Sequence, residues 1–225
     1  MSGKVTETWT RVIEKQPDQI IVDPKSSSER VLGEDEEYKV TFSIELGRLD
    51  WSIFHAADEN ILTLDLRANL DSSIKKLQTV VSKWLQVDFP GVYRVAFGAT
   101  LLCETQGKVQ SYDALSKLVP VKIDSKESSD FSYKINRPRP SKNIEGLKIN
   151  RLSQWSSGRF DVKAFTGDAE HELELTASTK FVVRLELDIN NVPDFNRTLS
   201  TEQISTLFEE EIELGVEIAA NGDIK

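Results

Sequence analysis

The chain has 225 residues, of which 39% are hydrophobic and 29% charged, with a formal net charge of −9. This balance is globular rather than disordered, and the length fits one large domain or two small ones. The single cysteine, Cys103, excludes an intramolecular disulfide, and its apolar surroundings predict a buried structural thiol. No run approaches ~18 apolar residues and no signal-peptide core precedes Lys15, so we expect a cytoplasmic protein without a membrane span.

The first half of the chain reads as strands followed by a helix. Residues 5–12 alternate like a strand, whereas 25–30 and 34–37 look like solvated loops. Period-two alternation predicts three strands of an antiparallel meander over residues 38–46, 49–55 and 61–66. Apolar residues at helical spacing after the N-cap candidate Asp71 then predict a helix over 71–87.

The second half begins with a predicted strand over 93–103 and a short helix over 111–119. A strand around 131–135 follows, then a hairpin of 147–152 and 159–165 around a turn at 154–158, and further strands at 172–176 and 181–189. The last element is a helix over 200–219, which opens with a capping box of Ser200 and Gln203 and ends at Asn221-Gly222.

This order of elements predicts an α+β fold, with a mostly antiparallel β-sheet and two principal amphipathic helices. Helices are few and do not alternate with strands, which argues against a doubly wound α/β architecture. We expect a single α+β domain over residues 1–225, with 38–119 and 129–220 as candidate similar halves.

The residue types that catalysis needs do not converge in this sequence. The two histidines, His55 and His171, have no accompanying nucleophile elbow and read as ordinary surface or strand-end residues. Phosphate-binding glycine loops and paired Cys/His zinc spacings are absent, so we predict no cofactor and no metal. Carboxylate runs such as 58–59 and 209–211 read as solvated surfaces, although an enzyme that uses carboxylates to hold a metal is the alternative.

Basic residues are concentrated between Lys134 and Lys163. Eight basic and two acidic residues give this segment a net charge of +6, so the remaining residues carry −15. Within it, the tetrapeptide Lys-Ile-Asn-Arg occurs twice, at 134–137 and 148–151. In a strand, its lysine and asparagine would share one face, and its isoleucine and arginine the other.

We therefore predict a non-enzymatic binding or accessory protein that acts through a protein partner, for which an operon-encoded complex is one candidate setting. The predicted partner-binding residues are Arg137, Arg139, Lys148, Arg151 and Trp155. Their charge suits an acidic protein surface. Three alternatives stay open: single-stranded nucleic acid bound along 134–163, a second copy of the chain, and the chain's own acidic final helix at Glu209–Glu211.

Two segments carry a resemblance to a known family. Residues 93–98, Tyr-Arg-Val-Ala-Phe-Gly, and 185–190, Leu-Glu-Leu-Asp-Ile-Asn, precede the acidic final helix. Together with the order of elements they resemble a sporadically distributed, uncharacterised family of prokaryotic proteins of about this length. The resemblance would span most of the chain, implies a prokaryotic cytosolic origin and assigns no functional residue.

Overall fold

The computed structural model describes residues 4–45, 47–55, 70–87, 91–166, 173–195 and 197–223. Helices and two antiparallel sheets make up these residues, which confirms the predicted α+β class. The chain divides into two compact units, with the described residues up to 87 in the first and those from 91 in the second. The two candidate halves of the sequence analysis stay a prediction.

In its described residues, the first unit is a four-stranded antiparallel sheet with two helices. Its elements are α1 (Lys4–Ile13), β1 (Gln19–Asp23), β2 (Ser28–Asp35), β3 (Tyr38–Glu45), β4 (Arg48–His55) and α2 (Leu70–Trp84). The strands lie in the order β1-β2-β3-β4. The predicted strands 38–46 and 49–55 and the helix 71–87 are confirmed within a few residues at their ends, whereas 61–66 lies outside the described residues.

The prediction of a strand over residues 5–12 is wrong, because this segment is helix α1. Val5, Trp9 and Val12 are spaced by four and three residues, which is the period of a helix face, and all three are buried. Against them lies a core that includes Phe42 and Trp51, whose rings stack with centroids 4.2 Å apart. The helical period therefore outweighs the local alternation once the sheet offers a face to cover.

The second unit is built around a five-stranded antiparallel sheet. Its elements are β5 (Ala96–Thr105), α3 (Lys108–Leu115), β6 (Ser132–Asn136), β7 (Arg139–Pro140), β8 (Lys148–Thr166), β9 (Leu173–Asn191) and α4 (Thr201–Asn221). The strand order is β5-β9-β8-β6, and the short β7 also pairs with β8. Helices α3 and α4 pack on one side of this sheet, against β5, β8 and β9.

The predicted hairpin around residues 154–158 does not exist. Strand β8 runs without a break through this segment, and β9 likewise joins the two predicted strands 172–176 and 181–189. Gln154 and Trp155 pair with β9 on one side and β6 on the other, so the supposed turn lies in the middle of the sheet. The serines and Gly158 resemble a turn in sequence but belong to a central strand.

The final helix agrees with its prediction in detail. The Ser200 hydroxyl accepts from the amide of Gln203, and the Gln203 side chain accepts from the amide of Ser200, so the capping box is confirmed. The predicted apolar stripe is buried at Ile204 and Leu207. The helix ends at Gly222, whose positive φ of 69° suits glycine.

Candidate functional site

The repeated tetrapeptide divides its residues between two faces of the second unit's sheet, as the strand period predicts. Its second copy opens β8, where Ile149 and Arg151 are buried at 0% and 6% exposure while Lys148 is exposed. We call the side packed by α3 and α4 the covered face and the opposite side the open face. The basic segment is thus split into residues that contact the protein's own helix and residues that face solvent.

The arginines lie on the covered side and contact carboxylates at the end of α4. Arg137 donates to Asp223 at its Oδ1 (3.3 Å) and at its main-chain oxygen (2.9 Å). Arg139 and Arg151 approach Glu217 Oε2 at 3.3 Å and 3.5 Å. This corresponds to the internal alternative of the sequence analysis, with Glu217 and Asp223 in place of the expected Glu209–Glu211.

Trp155 belongs to the same internal cluster. It is 3% exposed, and its indole Nε1 donates to Asp223 Oδ2 at 2.8 Å. The Ser153 hydroxyl donates to the same oxygen. Arg151 has its pKa lowered by burial and by the neighbouring Arg139 guanidinium. Arg137 and Trp155 therefore hold the turn after α4 through Asp223, and Arg151 contacts α4 itself through Glu217. The buried Trp155 and Arg151 contribute little to any exposed surface.

The open face carries a row of hydrogen-bonded amides, Asn136, Asn150 and Asn190, which we call the amide row. Asn136 Nδ2 donates to Asn150 Oδ1 at 3.0 Å, and Asn150 Nδ2 donates to Asn190 Oδ1 at 3.1 Å. Arg94 Nη2 donates to the same Asn190 oxygen at 2.9 Å. These bonds cross β6, β8 and β9, so the side chains of the row are fixed by the sheet.

Two lysines of the repeat flank the amide row. Lys134 and Lys148 are exposed, and within the described residues neither has a carboxylate oxygen within 4.0 Å. Lys134 stands opposite Gln154 and Lys148 opposite Pro140, so the lysines lie at opposite ends of the amide row, about 20 Å apart along β8 at ~3.3 Å per residue. Together with the amide row and the exposed Asp188 carboxylate, which accepts from Asn190 at 2.6 Å, the lysines form a charged, hydrogen-bonding surface, which we call the open-face patch.

Sequence reasoning treated Glu210 and Glu211 as solvated, but both are buried. Glu210 holds the loop between β7 and β8. Its carboxylate accepts from the Ser141 hydroxyl (2.7 Å), the Lys142 amide (2.7 Å) and the Asn143 side chain (3.1 Å). Glu211 is 0% exposed, and neither side-chain oxygen has a hydrogen-bond partner in the described part of the chain. Burial raises the pKa of Glu211 to about 9, so this side chain is protonated at neutral pH.

The other candidate groups do not assemble into a reaction centre in the described residues. There, no three His, Cys, Asp or Glu side chains meet as a metal-ligand set, and no helix has the length and apolarity to cross a membrane. His55 is the last residue of β4, and His171 lies outside the described residues. The prediction of a buried Cys103 is wrong: the thiol is exposed near the end of β5, where the apolar run of the strand is not covered.

Comparisons with known proteins were made with protein-family models, curated proteins and solved structures, and none of them matches this chain.

Proposed function

We propose that this chain is a non-enzymatic binding protein, and that the open-face patch docks an acidic surface of a protein partner. The observation that carries the proposal is the pair of exposed lysines, Lys134 and Lys148, without an ion-pair partner among the described residues. In a chain with a net charge of −9, a face whose lysines are not neutralised attracts an oppositely charged surface.

The amide row supports docking because its geometry exists before a partner arrives. Asn136 and Asn150 are not fully buried, so their amides can make hydrogen bonds beyond those of the row, whereas Asn190 is 3% exposed and already donates to Asp188 Oδ1 at 2.6 Å. Side chains that are already fixed lose less conformational entropy when they bind. The patch thus combines long-range attraction through the lysines with short-range donors and acceptors between them.

The lysines of the basic segment, rather than its arginines, are the residues that would contact the partner. Arg137 and Arg151 are engaged with Asp223 and Glu217, and the half-exposed Arg139 also contacts Glu217, whereas Lys148 remains exposed. A cytoplasmic location and membership of the uncharacterised prokaryotic family are part of this proposal.

The proposal can be tested by charge reversal on the open face. The double variant Lys134→Glu/Lys148→Glu is compared with the wild type and with Lys122→Glu/Lys126→Glu, which reverses two exposed lysines outside the basic segment. Each protein serves as bait in lysate of the source cells, and captured proteins are purified and titrated by calorimetry. We expect a partner that binds the wild type and the control but not the open-face variant, with affinity that falls as salt is raised.

Three results would contradict the proposal. Loss of capture together with a large fall in melting temperature would show that the lysines support the fold, because exposed charges should contribute only ~0–1 kcal/mol to stability. A salt-dependent affinity for single-stranded oligonucleotides that disappears in the open-face variant, without any protein partner, would assign the patch to nucleic acid. Heat on titration with magnesium or manganese and nucleotides would favour the carboxylate-enzyme alternative.

A further inference from the structure

Strand β1 in the first unit exposes three consecutive aliphatic side chains. Ile20, Ile21 and Val22 are 53%, 48% and 56% exposed, and no residue of β1 is buried. The strand lies at the end of the sheet order β1-β2-β3-β4, and in the described part of the chain it pairs with β2 alone. It is therefore an apolar edge strand, which single folded chains usually avoid.

The register shows that the core of the first unit continues to this edge. Ile20 stands opposite Val31, which is fully buried, so Ile20 and Val22 lie on the face that carries the core. Ile21 stands opposite Arg30 on the other face. Apolar side chains therefore project from both faces of β1, and a further strand beside it would cover both at once.

The edge lacks three features that usually prevent pairing. Lysine and proline are absent from the five residues of β1, and its register with β2 has no bulge. Pro17 and Pro24 lie just outside it on either side, so they limit the length of the strand without interrupting it. Within the described residues, the outward main-chain groups of Gln19–Asp23 are unpaired, so one further short strand can pair with them.

We propose that the strand which pairs with β1 is β1 of a second copy of this chain, antiparallel and centred on Ile21. In this register Ile21 faces its own counterpart and Ile20 faces Val22 of the second copy. Gln19 faces Asp23 of the second copy, so an amide donor meets a carboxylate acceptor. The two Asp23 side chains lie at opposite ends, separated by about 13 Å along the strand at ~3.3 Å per residue.

Other registers of the two β1 strands pair their side chains less favourably than the register centred on Ile21. A shift of two residues would place Asp23 opposite Ile21 in one direction, or Gln19 opposite Ile21 in the other. Either shift replaces an aliphatic pair with a polar–apolar one. The centred arrangement makes one continuous eight-stranded sheet from two four-stranded sheets. It uses the first unit only and does not depend on the open-face patch of the second.

The association is tested by molar mass in solution. We expect the wild type to reach twice the chain mass of 25.4 kDa as its concentration rises, measured by light scattering and sedimentation velocity. Ile21→Lys should stay at the monomer mass, because a charge at the centre of the edge opposes its own counterpart. Val121→Lys is the matched control, since Val121 is also exposed (40%) but lies in the second unit, and it should dimerise normally.

The register is tested by cross-linking in a Cys103→Ser background, which removes the native thiol. Ile21→Cys places two cysteines opposite each other, within disulfide reach, whereas Val22→Cys places them out of register. Mild oxidation should cross-link the first variant much faster than the second. A wild type that stays monomeric, a dimer that survives Ile21→Lys, or equal cross-linking at both positions would overturn the proposal, provided circular dichroism shows that the variants are folded.

Discussion

The buried Glu211 should make the stability of this protein fall as pH rises, and Glu211→Gln should remove that dependence. Its pKa is raised from 4.5 to about 9, chiefly by burial. The backbone of Asn191 and the Arg94 guanidinium act in the opposite direction, while Asp188 and Glu210 reinforce the increase. Between these two pKa values the folded protein keeps a proton that the unfolded chain releases.

The sign and size follow from proton linkage. Because the folded-state pKa is the higher one, the stabilising contribution is complete below about pH 4.5 and is lost as pH rises toward about 9. Within that window the loss is about 1.4 kcal/mol per pH unit, or about 3 kcal/mol between pH 4.5 and pH 7. Glutamine has nearly the same shape and does not titrate, so Glu211→Gln should not show this loss.

Urea unfolding of both proteins at about pH 5.5 and about pH 8.5 measures the difference directly. The free energy of unfolding of Glu211→Gln relative to the wild type should increase by about 4 kcal/mol across this interval. Glu209→Gln, on an exposed position of the same helix, is the control and should show almost no such change. A relative stability of Glu211→Gln that is constant with pH would refute the reasoning, because it would mean that Glu211 is ionised or hydrated in the folded protein.

Three other predictions concern the second unit. Gly222→Ala should lower the free energy of unfolding by several kcal/mol in thermal or urea unfolding, because a Cβ there would lie 2.4 Å from a main-chain oxygen. Gly146 has a similar positive φ but open space around it, so Gly146→Ala should lower this free energy by only about 1 kcal/mol. Asp223→Ala should lower the free energy of unfolding by about 3 kcal/mol and shift the fluorescence of Trp155, because it removes the acceptor of the buried indole N–H. Cys103 should react with a thiol reagent in the native protein as fast as after unfolding; strong protection would contradict its exposure.

The elements predicted correctly from sequence are those with a strong and uniform period. Strand β3 alternates over its whole length, and α4 combines a capping box with an apolar stripe, so local chemistry and tertiary burial agree there. The same agreement explains why the α+β class could be predicted. In α1 the apolar residues fit both periods over a short segment, and only the sheet beneath it decides between them.

From the sequence, β8 and β9 are each predicted as two shorter strands, because polar and small residues interrupt their apolar pattern. In β8 the serines and Gly158 look like a turn, yet the neighbouring strands supply the hydrogen bonds that a turn would otherwise provide locally. The missed strand β1 had a readable signal, since Ile20-Ile21-Val22 is a β-branched run enclosed by two prolines. The sequence does not show that these three side chains are exposed, because their burial depends on how much of the sheet α1 and α2 cover.

In the candidate site, the net charge of the segment and the two-residue period of its strand give different information about which basic side chains are exposed. The net charge of +6 over residues 134–163 indicates a basic segment, but it does not separate exposed cations from those that neutralise the protein's own carboxylates. The alternation within Lys-Ile-Asn-Arg does separate them. It directs Arg151 to the carboxylates of α4 and leaves Lys148 beside the amide row. Since a buried arginine is confined to its internal partner and an exposed lysine is not, the proposed attraction of an acidic protein depends on the lysine face.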